Sequence, residues 1–413
     1  MRLLVISQYF WPENFRVNDL VAELVARGHQ VTVLTGVPNY PSGKVFPEFK
    51  QDRARFVRFA GAEVVRVPLW PRGSRRLSLL LNYASFAISA SLLGSWKLRG
   101  RRYDAIFAYE PSPVTVGIPA AWLRALKRAP VAFWVLDLWP DTLEALGIVR
   151  SRRWLNAIGH LVRFIYDRCD LILAQSRSFI PQILTYAARS RVVYFPSWAE
   201  SVFTDSNATP ASEVPERPGS FDVLFAGNIG EAQDFPAVLA AAEILKSERR
   251  VRWLIVGDGR MSGWLRDEIE RRGLQNCVLM LGRYPLERMP SFYRHADALL
   301  LSLKDEPIFA LTIPGKLQSY LAAGVPVVAM LNGEGAEVVE RSRSGVTCRA
   351  GDAHGLALAV LRLASLPEEE IVQMAANALR VSRTEFDRGC LITQLEEWLA
   401  ELEHSDRTEG ANA

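Results

Sequence analysis

Short apolar runs alternate with amphipathic stretches along almost the whole chain. Leu3-Leu4-Val5-Ile6 reads as a strand, the next stretch as a helix with Leu20, Val21, Leu24 and Val25 on one face and a stop at Gly28, and Val31-Thr32-Val33-Leu34-Thr35 as a second strand. Further strands are expected at Val64–Val67, Ala105–Ala108 and Val131–Val135. The pattern restarts with Asp222–Ala226, Leu254–Val256, Val278–Leu281 and Ala298–Leu303. A β-branched run, Val325-Pro326-Val327-Val328-Ala329, then closes a strand–loop–helix–strand unit around Thr312–Gly324. Such alternation predicts an α/β chain with two Rossmann-like domains on parallel sheets. At 413 residues the chain is too long for one ordinary core. A stretch rich in Ser, Pro, Asp and Glu separates the two patterns. The expected division is therefore a first domain at 1–198, a linker at 199–220, a second domain at 221–380, and a tail at 381–413. The tail's helix, roughly Leu391 to Leu402, sets Leu391, Leu395, Trp398 and Leu399 on one face.

One apolar run stands apart. Leu77 to Trp96 carries no charge and is flanked by Arg72, Arg75 and Arg76 on one side and by Lys97, Arg99, Arg101 and Arg102 on the other. Its length could just span a bilayer, but Ser78, Asn82, Ser85, Ser89, Ser91 and Ser95 make it polar for that task. It also lies between two strands of what should be one sheet, which a spanning helix would separate. The expectation is a helix packed on the sheet with basic ends touching a membrane surface; a plain core helix is the alternative. Arg150-Ser151-Arg152-Arg153-Trp154-Leu155 would add a second basic edge with an interfacial tryptophan.

Charge sharpens this picture. The net +4 conceals residues 1–200 with 27 Lys/Arg against 14 Asp/Glu and a remainder with 22 against 31. A basic half invites an anionic partner. Its cations flank apolar helices rather than alternating with stacking aromatics, so an anionic membrane fits and nucleic acid does not. Cys169, Cys277, Cys348 and Cys390 are scattered without short pair spacing, against zinc sites or a disulfide framework and in keeping with a reducing cytoplasm. A strand starts at once, with no signal peptide ahead of it. The expected location is cytoplasmic and peripheral, on the inner face of the cytoplasmic membrane.

Candidate chemistry gathers where strands end, because loops at the carboxyl ends of parallel strands line the binding crevice. In Thr312-Ile313-Pro314-Gly315-Lys316, proline suits a first helical position, and Lys316 in the first turn opposes the helix dipole. An anion shared by Lys316 and the helix N–H groups would remove that conflict; a solvated surface lysine is the plain reading. Gly227-Asn228-Ile229-Gly230 follows a strand, and its glycines would let backbone amides approach a phosphate. In the first loop Glu13, Asn14, Arg16 and Asn18 could reach a polar ligand, or Asn18 or Asp19 could simply cap the helix. Glu110 and Asp137 end two further strands and suit proton transfer or sugar-hydroxyl binding, whereas Asp141 reads as a helix cap. No Asp-x-Asp pair occurs, so a metal clamp on a diphosphate has no sequence support and no cofactor or metal is expected.

Pro314-Gly315-Lys316 followed by Tyr320-Leu321-Ala322-Ala323-Gly324 resembles the donor-binding helix of the retaining, two-domain (GT-B) glycosyltransferases of family 4. The text from Tyr9 to Tyr40 and Asp137-Leu138-Trp139-Pro140 resemble members that serve bacterial surface polysaccharides, such as O-antigen and capsule. The resemblance implies two domains facing across a cleft, with the C-terminal helix crossing back to the first. It implies donor-sugar contacts at Thr312 and Ile313, base and ribose contacts at Arg283, Tyr284 and Ser319, and an acceptor side holding Asp137. Many members have two glutamates where this chain has Leu311 and Ser319. The implied reaction is metal-independent, retaining transfer from a UDP-linked sugar, for instance a 6-deoxy amino sugar such as N-acetylfucosamine, to a sugar on polyprenyl diphosphate. A nucleotide-sugar epimerase of similar architecture is the alternative. A dinucleotide oxidoreductase is excluded by the glycine-free loop Gln8–Asn18.

Overall fold

Among the described residues, fourteen strands, β1 to β14 in chain order, form two separate sheets in the computed structural model. It describes residues 1–73, 76–145, 147–187, 190–204 and 208–411. Arg75, one of the basic flanking residues, lies outside them, as does the side chain of Arg76. The first unit comprises Met1–Phe195 with Gly389–Ala413, and the second Pro196–Arg388.

The first sheet contains β1 (Arg2–Ser7), β2 (Gln30–Gly36), β3 (Arg58–Phe59), β4 (Ala62–Val67), β5 (Ala105–Glu110), β6 (Val131–Val135), β7 (Leu171–Ala174) and β8 (Arg191–Tyr194) in the order β3-β4-β2-β1-β5-β6-β7-β8. All neighbours are parallel except β3 and β4. The run Val131–Val135 is fully buried, as continuous apolar strands covered by helices on both faces should be. The order reverses between β1 and β5, so the loops after these two strands open the crevice of this unit.

The expected helix beside this sheet runs from Arg76 to Lys97, with one wider turn at Ala90–Gly94. By length and composition it could cross a membrane, with a mean hydropathy of 1.5. It packs on the sheet instead: Asn82, Phe86, Ala87 and Ala90 are buried, and a Cβ on Gly94 would meet Leu34 of β2 at 2.9 Å. Its other face leaves Leu77, Leu80, Ile88, Leu92 and Trp96 exposed.

The last helix, Arg388–Ala411, belongs to the first unit. Ile392, Leu395 and Leu399 are buried along it. Glu396 accepts from Arg27 at 2.7 Å and meets His29 Nε2 at 2.6 Å, and Arg191 pairs with Glu401 at 2.7 Å.

The second sheet holds β9 (Phe221–Asn228), β10 (Val251–Asp258), β11 (Val278–Gly282), β12 (Ala298–Ser302), β13 (Val327–Met330) and β14 (Gly345–Cys348) in the all-parallel order β11-β10-β9-β12-β13-β14. Here the reversal falls between β9 and β12. Much of the stretch 199–220 lies on this unit: Ala211 N donates to Ser291 O, Val214 is buried, and Arg252 ties Asp222 to the carbonyl of Pro215.

Candidate functional site

The reversal in the second sheet brings two chain segments together. β9 ends at Gly227-Asn228, and the chain leaving β12 returns as the nine-residue helix Gly315–Ala323. Pro314 is its N-cap rather than its first residue, and Gly324 closes it in the left-handed region at φ +65°. Tyr320 anchors the helix, its hydroxyl accepting from Ala226 N at 3.1 Å. That bond sets Lys316, one turn earlier, over the end of β9.

Lys316 Nζ sits 3.8 Å from the centroid of the Phe225 ring, a cation–π placement. Its stem lies against Gly227 so closely that a Cβ there would come within 2.5 Å of Lys316 Cε. Gly227 (φ +139°) and Gly257 (φ +149°) let the ends of β9 and β10 cross: a Cβ on Gly257 would fall 1.8 Å from Gly227 O. Among the described residues no carboxylate pairs with Lys316. The residue is partly exposed, yet its charged end is crowded by protein, and that desolvation pulls its pKa down to about 7. A cation at a helix N-terminus with a depressed pKa and no counter-charge is arranged for an anion.

The rest of the loop departs from expectation. Asn228 is exposed, but the amides of Ile229 and Gly230 are already committed, to Asp258 O at 2.9 Å and to Gln233 Oε1 at 3.1 Å, and the Ile229 side chain is core. These two amides therefore correct the sequence reading: they hold the loop rather than stand open. Ile313 is buried and the Thr312 hydroxyl donates to Ile308 O at 3.1 Å. Arg283 is exposed after β11, and Tyr284 packs 4.6 Å from Phe292. Ser319 is buried on the same helix as Lys316 and donates to Glu200 Oε2 at 2.9 Å. Glu200 escaped the sequence reading because nothing near it in the chain marks it.

In the first unit the loop residues have other roles. Glu13 is buried and its carboxylate accepts from Phe10 N at 3.0 Å and from Asn39 N and Tyr40 N at 2.7 Å each. Asn18 donates to Glu13 O at 2.7 Å and accepts from Trp11 N at 3.2 Å. The helix Arg16–Ala26 has Phe15 as N-cap and no side-chain cap, so neither Asn18 nor Asp19 caps it. Glu13 and Asn18 thus satisfy loop amides and carbonyls that would otherwise be stranded. Asn14 is exposed and Arg16 half-buried.

Glu110 and Asp137, at the ends of β5 and β6, do come together. Asp137 N donates to Glu110 Oε2 at 3.2 Å, while Glu110 Oε1 is buried without a partner among the described residues. Burial, reinforced by the charge of Asp137, pushes the Glu110 carboxyl well above the usual carboxylate range. Burial raises Asp137 as well, tempered by its bonds from Thr142 Oγ1 (2.6 Å) and Trp139 Nε1 (3.2 Å). Arg72 joins this edge: it donates to the Tyr9 hydroxyl at 3.1 Å and lies over the Tyr40 ring. Arg72 is thus tied into the first loop, and Arg101, at the other end of the apolar helix, is engaged by Glu63.

Comparison with known proteins agrees with this architecture. The "glycosyl transferase 4-like domain" matches residues 14–198 and "glycosyl transferases group 1" matches residues 220–365. A putative colanic acid biosynthesis glycosyl transferase of Escherichia coli K12 is 27% identical, over 78% of this chain and 82% of its own. A probable glycosyltransferase of Pseudomonas aeruginosa is 25% identical over 77% and 80%. Among solved structures, an Anabaena protein in complex with UDP and glucose aligns with a TM-score of 0.67 at 17% identity, covering 97% of this chain and 99% of that one. Sucrose-phosphate synthase of Thermosynechococcus elongatus aligns at 0.69 and 15%, covering 98% and 99%. Two Rossmann-like sheets, two adjoining family matches and these relatives agree: the chain belongs to the GT-B glycosyltransferases of the family 4 type.

Proposed function

We propose that the protein moves a sugar from a UDP-linked donor to a sugar carried on a polyprenyl diphosphate, with retention of configuration and without a metal ion, at the cytoplasmic face of a membrane. The observation that carries this reading is Lys316: an ammonium without a counter-charge among the described residues, at a helix N-terminus, against a glycine that makes room for it. That arrangement suits a diphosphate, whose leaving charge grows as the glycosidic bond breaks. The Anabaena structure with UDP and glucose supports UDP as the nucleotide. Glu200, held by Ser319, would take the ribose hydroxyls. The base would stack near Arg283 and Tyr284, and the backbone at Thr312–Ile313 would meet the donor sugar, a 6-deoxy amino sugar such as N-acetylfucosamine being the leading candidate.

In the transfer, the acceptor hydroxyl oxygen bonds to the donor's anomeric carbon as the bond from that carbon to the diphosphate oxygen breaks. The hydroxyl proton passes to the departing diphosphate, and Lys316 with the helix dipole holds the charge that remains. Asp137 would orient the acceptor hydroxyl, with Glu110 beside it; Asn14 and Arg16 are the first-loop groups left to meet the acceptor. The epimerase alternative has no observation in its favour. The test is UDP release from a panel of UDP-sugars with and without polyprenyl-diphosphate-linked sugars, for the wild-type protein and Lys316→Met. Acceptor-dependent release that Lys316→Met abolishes is expected. Conversion of a UDP-sugar to its epimer without acceptor would overturn the reading.

A further inference from the structure

The first unit contains an apolar groove of about 860 Å³. One wall is the helix Arg76–Lys97, which contributes Leu80, Ala84 and Ile88; Trp122, Ile148 and Ile158 stand on the other side. Leu80 is 64% exposed and Ile88 60%. Continuous exposed apolar surface of this kind marks an interaction site. The charged groups of the lining are Arg72 and Asp137, and Tyr83, which lines the groove beside them, feels the charge of both. The groove therefore suits a molecule with a long apolar body and an anionic, hydroxyl-bearing head.

A second cavity, of about 930 Å³, indicates where such a molecule comes from. Arg53, Arg58, Arg66, Lys97, Arg99 and Arg101 line it, with Glu63 the acid among them. Trp96 also lines it, 61% exposed and with the Arg99 guanidinium 4.7 Å from its ring centroid. An exposed tryptophan among cations at the edge of an apolar face matches the headgroup level of an anionic leaflet.

We infer that the groove holds the hydrocarbon chain of a polyprenyl phosphate lipid, with the phosphate directed to Arg72 and the sugar beyond it delivered to Asp137. This deepens the proposed function, resting on its lipid-linked acceptor, and adds the site for the chain. It also assigns the exposed face of the Arg76–Lys97 helix to lipid contact without a bilayer span.

The experiment uses the full chain and geranylgeranyl diphosphate bearing a diazirine on its terminal isoprene, with cross-links mapped by mass spectrometry. Wild type should label in the peptides around Leu80–Leu92 and Trp122, in competition with undecaprenyl phosphate. Ala84→Trp, which fills the groove from an exposed position, and Ile88→Asp should each cut labelling at least tenfold while UDP affinity stays within twofold of wild type. Diffuse labelling, labelling insensitive to both variants, or a concentration-dependent dimer that buries this face in place of lipid would overturn the inference. Groove labelling without sugar transfer to any polyprenyl-linked acceptor would leave the groove standing and remove the proposed reaction. Acceptor-dependent transfer without groove labelling would remove the groove alone.

Discussion

Ser319 holds the Glu200 carboxylate at 2.9 Å across 119 residues of sequence, one helical turn from Lys316. A carboxylate and an ammonium are thereby presented on one helix face, the pair of groups that a ribose diol next to a diphosphate requires. Glu200→Ala should weaken UDP binding about tenfold or more, the cost of one charge-assisted hydrogen bond at roughly 1.5–3 kcal/mol. The 2′,3′-dideoxy analogue of UDP should bind wild type and variant alike. Calorimetry with both nucleotides decides it; equal losses for the two would place Glu200 away from the ribose.

Lys316→Met should abolish detectable UDP binding yet stabilise the ligand-free protein near pH 6.5. The sign follows from the pKa of about 7, below the 10.5 of a free lysine. Folding must expel or strain the proton, so the destabilisation is absent above the unfolded value, grows as pH falls, and is complete below about 7. Every tenfold loss of proton affinity on folding costs about 1.4 kcal/mol, an upper bound given the residue's partial exposure. A Tm rise of at least about 2 °C at pH 6.5, in a unit where 1 kcal/mol is roughly 2–4 °C, and a smaller rise at pH 9.5 are expected by calorimetric scanning. An unchanged or lower Tm would contradict the crowded, unpaired ammonium.

The same depressed pKa predicts how donor affinity depends on pH. A bound diphosphate raises the Lys316 pKa, so binding takes up a proton wherever free Lys316 is neutral, above about pH 7. A UDP-sugar, whose diphosphate does not titrate in this range, should lose affinity up to about tenfold for each step of one in pH from 7 to 8.5. Titrations in buffers of different ionisation heat should reveal the proton uptake. Buffer-independent heats would show that Lys316 enters the complex already charged.

Gly227→Ala should act like a lysine variant without touching the lysine. Its Cβ would lie 2.5 Å from Lys316 Cε, at a φ of +139° that side chains rarely adopt. Strain of about 1–3 kcal/mol and a displaced ammonium follow. Gly263→Ala, in the helix Ser262–Arg271 with open space around its Cβ, is the control and should be neutral or stabilising by roughly 0.5–1 kcal/mol. Donor binding that survives Gly227→Ala at wild-type strength would argue against this packing.

Transfer should persist in EDTA at an undiminished rate, because Lys316 and a helix N-terminus do the electrostatic work proposed for the leaving group. Loss on chelation with rescue by Mn²⁺ would replace that model.

The central strands of both sheets are legible in the sequence because they are short, apolar and regularly spaced; β3, β7, β8 and β14, at or near the sheet edges, are not among the strands that pattern named. Lys316 is legible too, since Pro314 and Gly324 punctuate its helix. The polar loop residues are not. Glu13 and Asn18 look available for a ligand, yet buried loop amides need acceptors, and only the folded loop shows that these two side chains supply them. Arg72 looks like its surface neighbours until the fold brings Tyr9 to hold it. Glu200 is invisible because its partner lies 119 residues away and no periodicity links them.

The return of the last helix to the first unit also constrains how the protein is born. Arg27 and His29 leave the ribosome 369 and 367 residues before Glu396, their partner. At about 5–20 residues per second that is a wait of roughly 20–70 s, during which the whole second unit is translated and free to fold. The nascent first unit therefore spends that interval without its closing helix, the surface destined for Ile392, Leu395 and Leu399 uncovered. A truncation just before Gly389 would leave the second unit whole and the first without its closing helix, so completion of the first unit waits on the segment that begins at Gly389.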